Sequence, residues 1–189
     1  MPTASSVLRI QTVTIWLARE VYQQMRDEAD LFSPLETGGV LLGWRSGSSR
    51  VIVQACGPGP RALHGRHRFL PDHQWHVAEI HQAFQLSGGD LDYLGDWHSH
   101  PSGDAVMSSE DHATLRRICR RVRNPLMMII DGQTQPGERV TGCWMGHASG
   151  WSIFGRYEAI AQEIRLFDPP TDWQHCTTER QSPDVLAKL

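Results

Sequence analysis

Apolar positions recur along this chain in two rhythms, and the switches between them divide it into elements. Leu17, Val21, Gln24, Met25 and Ala29 keep helical spacing, which predicts an amphipathic helix over about 16–30. A short alternating stretch over 7–15 precedes it as a strand, and Ser33-Pro34 ends it. The run at 40–42 reads as a strand. It turns through Ser46-Gly47-Ser48-Ser49 into a β-branched strand over 50–56, forming a hairpin. Residues 57–66 open with Gly-Pro-Gly-Pro and are irregular, and 68–70 form a short strand. A helix begins at Pro71 and Asp72, with Trp75, Ile80, Ala83 and Phe84 on its apolar side. After a turn at 87–90 comes a central strand over 91–100. Strict alternation puts Asp92, Leu94, Asp96, His98 and His100 on one face, and Tyr93, Gly95, Trp97 and Ser99 on the other. Leu115, Ile118, Cys119 and Val122 give a helix over 109–122 an i, i+3, i+4, i+7 stripe, and Pro125 stops it. Strands follow at 126–130, 139–145 and 151–154, then a closing helix over 156–167. This organisation predicts a flexible N-terminus (1–7), one domain (8–167) and a polar tail (168–189). Strands and helices mix without regular βαβ repetition, so the fold class is α+β, a mixed sheet flanked by helices.

Composition narrows the function classes. A chain of 189 residues with 40% hydrophobic content has enough apolar material for one real core. Its formal charge of -3 gives no general attraction to nucleic acid or anionic lipid. The Arg-rich helix carrying Arg116, Arg117, Arg120, Arg121 and Arg123 therefore reads as a solvated face rather than a nucleic-acid site. No apolar run approaches the length of a membrane span, and no signal peptide is recognisable. Cys56, Cys119, Cys143 and Cys176 lie far apart, and Cys119 and Cys143, among apolar residues, fit reduced core thiols better than a disulfide frame. A cytoplasmic protein without a membrane partner is expected.

The chemistry concentrates in 95–111. His98 and His100 stand two apart on one strand, so both imidazoles leave the same face. Pro101 ends the strand, and Ser108 opens Ser-x-x-Asp at a helix start, which returns Asp111 toward the imidazoles. Two His and one Asp form a three-ligand set with one tetrahedral position open, the pattern of a catalytic zinc site. Ser108 and Asp111 also read as a capping box, which is compatible with that role. A metallo-β-lactamase pattern requires an Asp two residues after the second His, where Ser102 stands. The histidines at 64, 67, 73, 76 and 81 lack a carboxylate or Cys at ligand spacing and read as solvated loop and helix residues.

His-x-His-Pro followed by Ser-x-x-Asp resembles the signature of the JAMM (MPN-plus) metalloproteases, nearest to their prokaryotic, deubiquitinase-like branch. Glu36, in Glu-Thr-Gly-Gly-Val-Leu-Leu-Gly, is similar to that family's upstream catalytic glutamate. The resemblance implies a cytidine-deaminase-like JAB/MPN fold with one Zn2+ per chain on His98, His100 and Asp111. It also implies Glu36 as general base and Ser108 as oxyanion donor. The implied reaction is cleavage after the C-terminal glycine of a ubiquitin-like protein, from its conjugates or its precursor, within a bacterial modification system of the kind linked to antiphage defence. Processing of a sulfur-carrier protein and a non-catalytic MPN scaffold are the alternatives. The same resemblance points to 57–70 as substrate-facing, and Arg68, Phe69, Leu70 and Asp96 are the candidate substrate contacts.

Overall fold

A computed structural model describes residues 12–135, 138–149, 156–170 and 173. The elements in chain order are β1 (Thr14–Ala18), α1 (Arg19–Phe32), β2 (Gly38–Ser46), β3 (Ser49–Cys56), β4 (Leu63–His64), β5 (Phe69–Leu70), α2 (His73–Leu86), β6 (Asp92–Ser99), α3 (Ser109–Ile118), β7 (Leu126–Gln135), β8 (Glu138–Ser149), β9 (Arg156–Ala161) and β10 (Glu163–Phe167). Eight strands form one mixed sheet in the order β10-β1-β3-β2-β6-β7-β8-β9, and β4 and β5 pair as a separate small ribbon. The architecture is α+β, as the pattern of elements predicts. Among the described residues no helix is long and apolar enough to cross a membrane.

The sheet is curled around α1. Val21, Met25 and Ala29 of that helix are buried against Ile15, Leu17, Leu41, Ile52, Trp97 and Met128 from five strands. The opposite face of the sheet packs Val40, Leu42, Val51 and Val53 against Ala83 of α2 and Leu91. Apolar side chains therefore leave the middle strands on both faces, which is why 40–42 and 126–130 read as continuous apolar runs. Cys56 and Cys143 are buried and Cys119 half-buried, and burial pushes the Cys143 thiol up to about 12.

Three expectations are corrected. The closing helix over 156–167 is instead two strands. β9 pairs with β8 and β10 with β1, so consecutive strands end up at opposite edges of the sheet. Tyr157, Ile160 and Ile164 mimic helical spacing, but exposure alternates along both strands with a period nearer two. The alternation along β6 is broken as well. Leu94 packs in the same cluster as Trp97, three residues on, while Tyr93 faces the other cluster. The register against β2 slips between Leu41 and Leu42, opposite Gly95 and Tyr93. At Gly95 a Cβ would lie 2.2 Å from the Leu126 carbonyl oxygen, so the irregularity sits where only glycine fits. The first strand runs over Thr14–Ala18 rather than 7–15, and α1 begins at Arg19. The strand expected at 151–154 lies outside the described residues, as do 1–7 and most of the tail. Trp173 of the tail packs its ring edge-on against Trp44, 5.1 Å between centroids.

Candidate functional site

β2 and β6 run antiparallel at the centre of the sheet, with Gly38 opposite His98 and Gly39 opposite Trp97. A Cβ at Gly38 would stand 2.4 Å from the Trp97 carbonyl, and one at Gly39 would stand 1.8 Å from that of Cys56. Two glycines thus let the start of β2 lie flush between β3 and β6. The pairing continues past the strand ends: Ser99 N–H donates to the Thr37 carbonyl (2.8 Å), and Thr37 N–H donates to Ser99 Oγ (3.1 Å). Glu36 is the next residue out, and this bracket sets it beside the end of β6.

The hairpin of β4 and β5 holds Glu36 from the other side. Glu36 N–H donates to the Gly65 carbonyl at 2.8 Å. His64 Nδ1 lies 2.9 Å from the Glu36 carbonyl, so that nitrogen carries the proton and donates. The His64 ring stacks on Phe32 with centroids 3.9 Å apart. His64 is therefore a buttress of the site, not a solvated loop histidine. His76 is likewise buried, with Nε2–H donating to the Gly57 carbonyl at 2.8 Å. Nothing in residue type or spacing distinguishes these two from their exposed neighbours.

His98 and His100 turn their Nε2 atoms toward each other at 3.1 Å. Asp111 closes the group: Oδ1 is 3.1 Å from His98 Nε2, and Oδ2 is 3.6 Å from His100 Nε2. Among the described residues this is the one trio of His, Cys, Asp or Glu whose donor atoms converge, all within 4.8 Å of one another. The His100 tautomer follows from its other nitrogen. Nδ1 sits 2.9 Å from the Asp104 carbonyl, which can only accept, so Nε2 presents a lone pair to the centre. Burial keeps the His100 pKa below the ordinary histidine value, which favours the neutral, ligating form.

Asp111 is placed by a capping box at the start of α3. Ser108 N–H donates to Asp111 Oδ2 at 2.7 Å, and Asp111 N–H donates to Ser108 Oγ at 3.2 Å. Burial works to raise the Asp111 pKa. The His98 imidazole and the Ser108 groups outweigh it and hold the carboxyl well below the usual range. Ser108 Oγ accepts the Asp111 N–H, and its hydroxyl also lies within hydrogen-bonding reach of the Asp111 carboxyl.

Glu36, Ser108, His98, His100 and Asp111 all line one open groove of about 910 Å³. Burial drives the Glu36 carboxyl up to about 7, against the opposing pull of His98. The groove continues between α2 and α3 over β6. Arg68, Phe69, Leu70 and Asp96 line it too, so each residue singled out from the sequence borders the same space. Asp96 is not a bare polar residue at the strand's open end. It accepts the Tyr93 hydroxyl at 2.6 Å, and burial raises its pKa despite that bond.

Two imidazole nitrogens and a carboxylate converging on one point form a donor set that fits a divalent metal ion, and a carboxyl near neutrality beside it suits proton transfer. Comparison with known proteins agrees with this chemistry. A family model described as prokaryotic homologues of the JAB domain matches residues 18–145. A probable metalloprotease of Sinorhizobium fredii is 31% identical over 160 residues, which cover 81% of this chain and 96% of that protein. A CD-NTase/cGAS isopeptidase of Vibrio cholerae is 32% identical over 95 residues, 50% of this chain and 61% of its own. A solution structure of a Desulfitobacterium hafniense protein superposes with a TM-score of 0.64 at 20% identity, covering 87% of this chain and 99% of that one, a likeness of fold.

Proposed function

The chain belongs to the prokaryotic JAB-domain family and is a JAMM-type metal-dependent hydrolase, and from that premise we propose that it is a zinc peptidase and isopeptidase cutting after the C-terminal glycine of a ubiquitin-like protein. The convergence of His98, His100 and Asp111 in a groove that also holds Glu36 carries this reading. Several relatives named isopeptidase support a protein conjugate as substrate. A place in a bacterial ubiquitin-like modification system, with a role in antiphage defence, is part of the same proposal.

His98, His100 and Asp111 would hold the zinc ion, leaving one tetrahedral position open. When bound, zinc supplies Lewis acidity, which acidifies water and polarises a carbonyl. Glu36 takes a proton from the attacking water and delivers it to the departing amine. A carboxyl raised by burial is matched to that two-way transfer near neutral pH. Ser108 turns its hydroxyl hydrogen to the oxyanion that develops on the scissile carbonyl. Asp104 fixes the His100 ring, and His64 and Thr37 fix the backbone on both sides of Glu36. Arg68, Phe69 and Leu70 form one wall for the extended tail of the modifier, and Asp96 lies on its floor.

The test is incubation with ubiquitin-like proteins carrying a C-terminal extension or a lysine conjugate. Zinc-loaded wild type is expected to release the modifier with its terminal glycine free. Glu36→Ala should leave it intact while retaining the metal. A zinc-loaded wild type that cuts none of these substrates overturns the substrate class.

A further inference from the structure

We infer that the part of the groove between α2 and α3 selects an acidic segment of the substrate protein. The inference deepens the peptidase reading and rests on it for the nature of the occupant. The chain has a formal charge of -3, so a cluster of arginines runs against its overall sign. Yet four guanidinium groups line this one groove from two separate stretches. Arg66 and Arg68 come from the β4–β5 hairpin, and Arg117 and Arg121 from α3 and the turn after it. Arg116, Arg120 and Arg123 lie outside the lining. Two separate stretches of the chain thus contribute arginines to one lining.

These arginines are available. Arg66, Arg68, Arg117 and Arg121 are all exposed. The side chains of Arg66 and Arg121 make no hydrogen bond or ion pair among the described residues. Arg117 has only a long contact to the Thr114 hydroxyl at 3.5 Å. Arg68 reaches Glu110 at 4.0 Å, with both side chains about two-thirds exposed, a geometry worth little in water.

Of the acids in the groove, Glu110 stands beside Arg68 and offsets that one guanidinium, which leaves Arg66, Arg117 and Arg121 without a carboxylate partner among the described residues. Glu36 and Asp111 belong to the candidate reactive centre. Asp96 is bound by the Tyr93 hydroxyl, and its burial works against carrying charge. Asp104 sits at the far end, beside His100. Val77, Ile80, Ile118 and Met127 line the same groove, so it offers apolar surface together with exposed guanidinium groups. Its complement is an extended peptide that carries both apolar residues and Glu or Asp.

Short fluorescein-labelled peptides of equal length test this, identical at apolar positions and carrying Glu, Ser or Lys at the others. Binding is read by anisotropy on catalytically inert Glu36→Gln protein, so failure of the peptidase reading and failure of this one are separable. The Glu peptide is expected to bind about tenfold more tightly than the Ser peptide, the scale of several exposed ion pairs acting together, and to weaken with salt. The pair Arg117→Glu with Arg121→Glu should abolish that preference. The pair Arg116→Glu with Arg120→Glu makes the same change in net charge outside the groove and should preserve it. Equal binding of the three peptides, or preference for the Lys peptide, overturns the inference. So does equal loss in both double variants, which marks a bulk charge effect. Tighter binding of an oligothymidylate than of the Glu peptide, lost in the groove variant, also overturns it in favour of nucleic acid.

Discussion

In the proposed mechanism the chemistry turns on Glu36, and burial sets its behaviour. Its carboxyl is held near 7 instead of 4.5 by desolvation, so in the metal-free protein it resists ionising. The sign follows from linkage. A carboxyl raised on folding contributes stability fully below its unfolded value, and that contribution is lost as pH rises through the folded value. Metal-free wild type should therefore lose thermal stability relative to Glu36→Gln between about pH 4.5 and 7. Melting curves of the two proteins across that range check this, and parallel curves would show that Glu36 ionises freely. With metal loaded, Glu36→Gln should lower kcat by roughly 10²–10⁴, the range of a lost general base, with metal content unchanged. Ser108→Ala should act on both cap and site. Helix α3 loses about 1 kcal/mol, and metal affinity falls roughly 10- to 100-fold as Asp111 loosens, measured by denaturation and competitive chelation. Locality decides how much of this was legible in the sequence. His98, His100 and Asp111 are encoded by an i, i+2 spacing and a capping box, both short-range. Glu36 entered only through a family resemblance, because it reaches the site by pairing with a strand some sixty residues away. His64 left no signal, since its role is one hydrogen bond to a distant backbone carbonyl.

At the level of elements, the glycines of β2 decide whether the site can assemble. Gly39 is flanked so closely by the Cys56 carbonyl that a methyl group there must push β3 away from β2. Gly39→Ala should cost about 1–3 kcal/mol, the range of an overpacked interior. Because β2 also carries the approach to Glu36, activity should fall further than stability alone accounts for. Urea unfolding and peptidase rates on the same preparation separate the two. The hairpin of β2 and β3, and helices α1, α2 and α3, were readable because each obeys its own period and ends on Pro, Gly or a cap. The stretch 156–167 was not. Its strand state is dictated by partners at two opposite edges of the sheet, and its own residues fit a helix equally well. β6 misled for a related reason. An irregularity beside Gly95 moves Leu94 to the Trp97 side, which strict alternation cannot foresee.

Across the whole molecule, the curl of the sheet is closed by one residue, Gln162, between two strands that cap opposite edges. Its backbone N–H donates to the Cys143 carbonyl on β8 at 2.8 Å. Its side-chain oxygen accepts Val13 N–H at 2.7 Å, just before β1, and its amide nitrogen donates to the Ile160 carbonyl. The Gln162 side chain thus links β9 to the residue just before β1, while β9 and β10 remain the two edge strands. Gln162→Ala keeps the backbone bond but strands the Val13 N–H in a partly buried position. The expected loss is about 1–3 kcal/mol, the cost of an unsatisfied donor, read by urea denaturation. The candidate metal site lies at the end of β6 and the start of α3, and β6 stands in the middle of the strand order, away from both edge strands. Metal affinity and peptidase rate should therefore stay at wild-type values below the unfolding transition. Should affinity fall in step with stability, the seam and the site are mechanically coupled, and the sheet must be treated as a closed ring whose tension reaches His98 and His100.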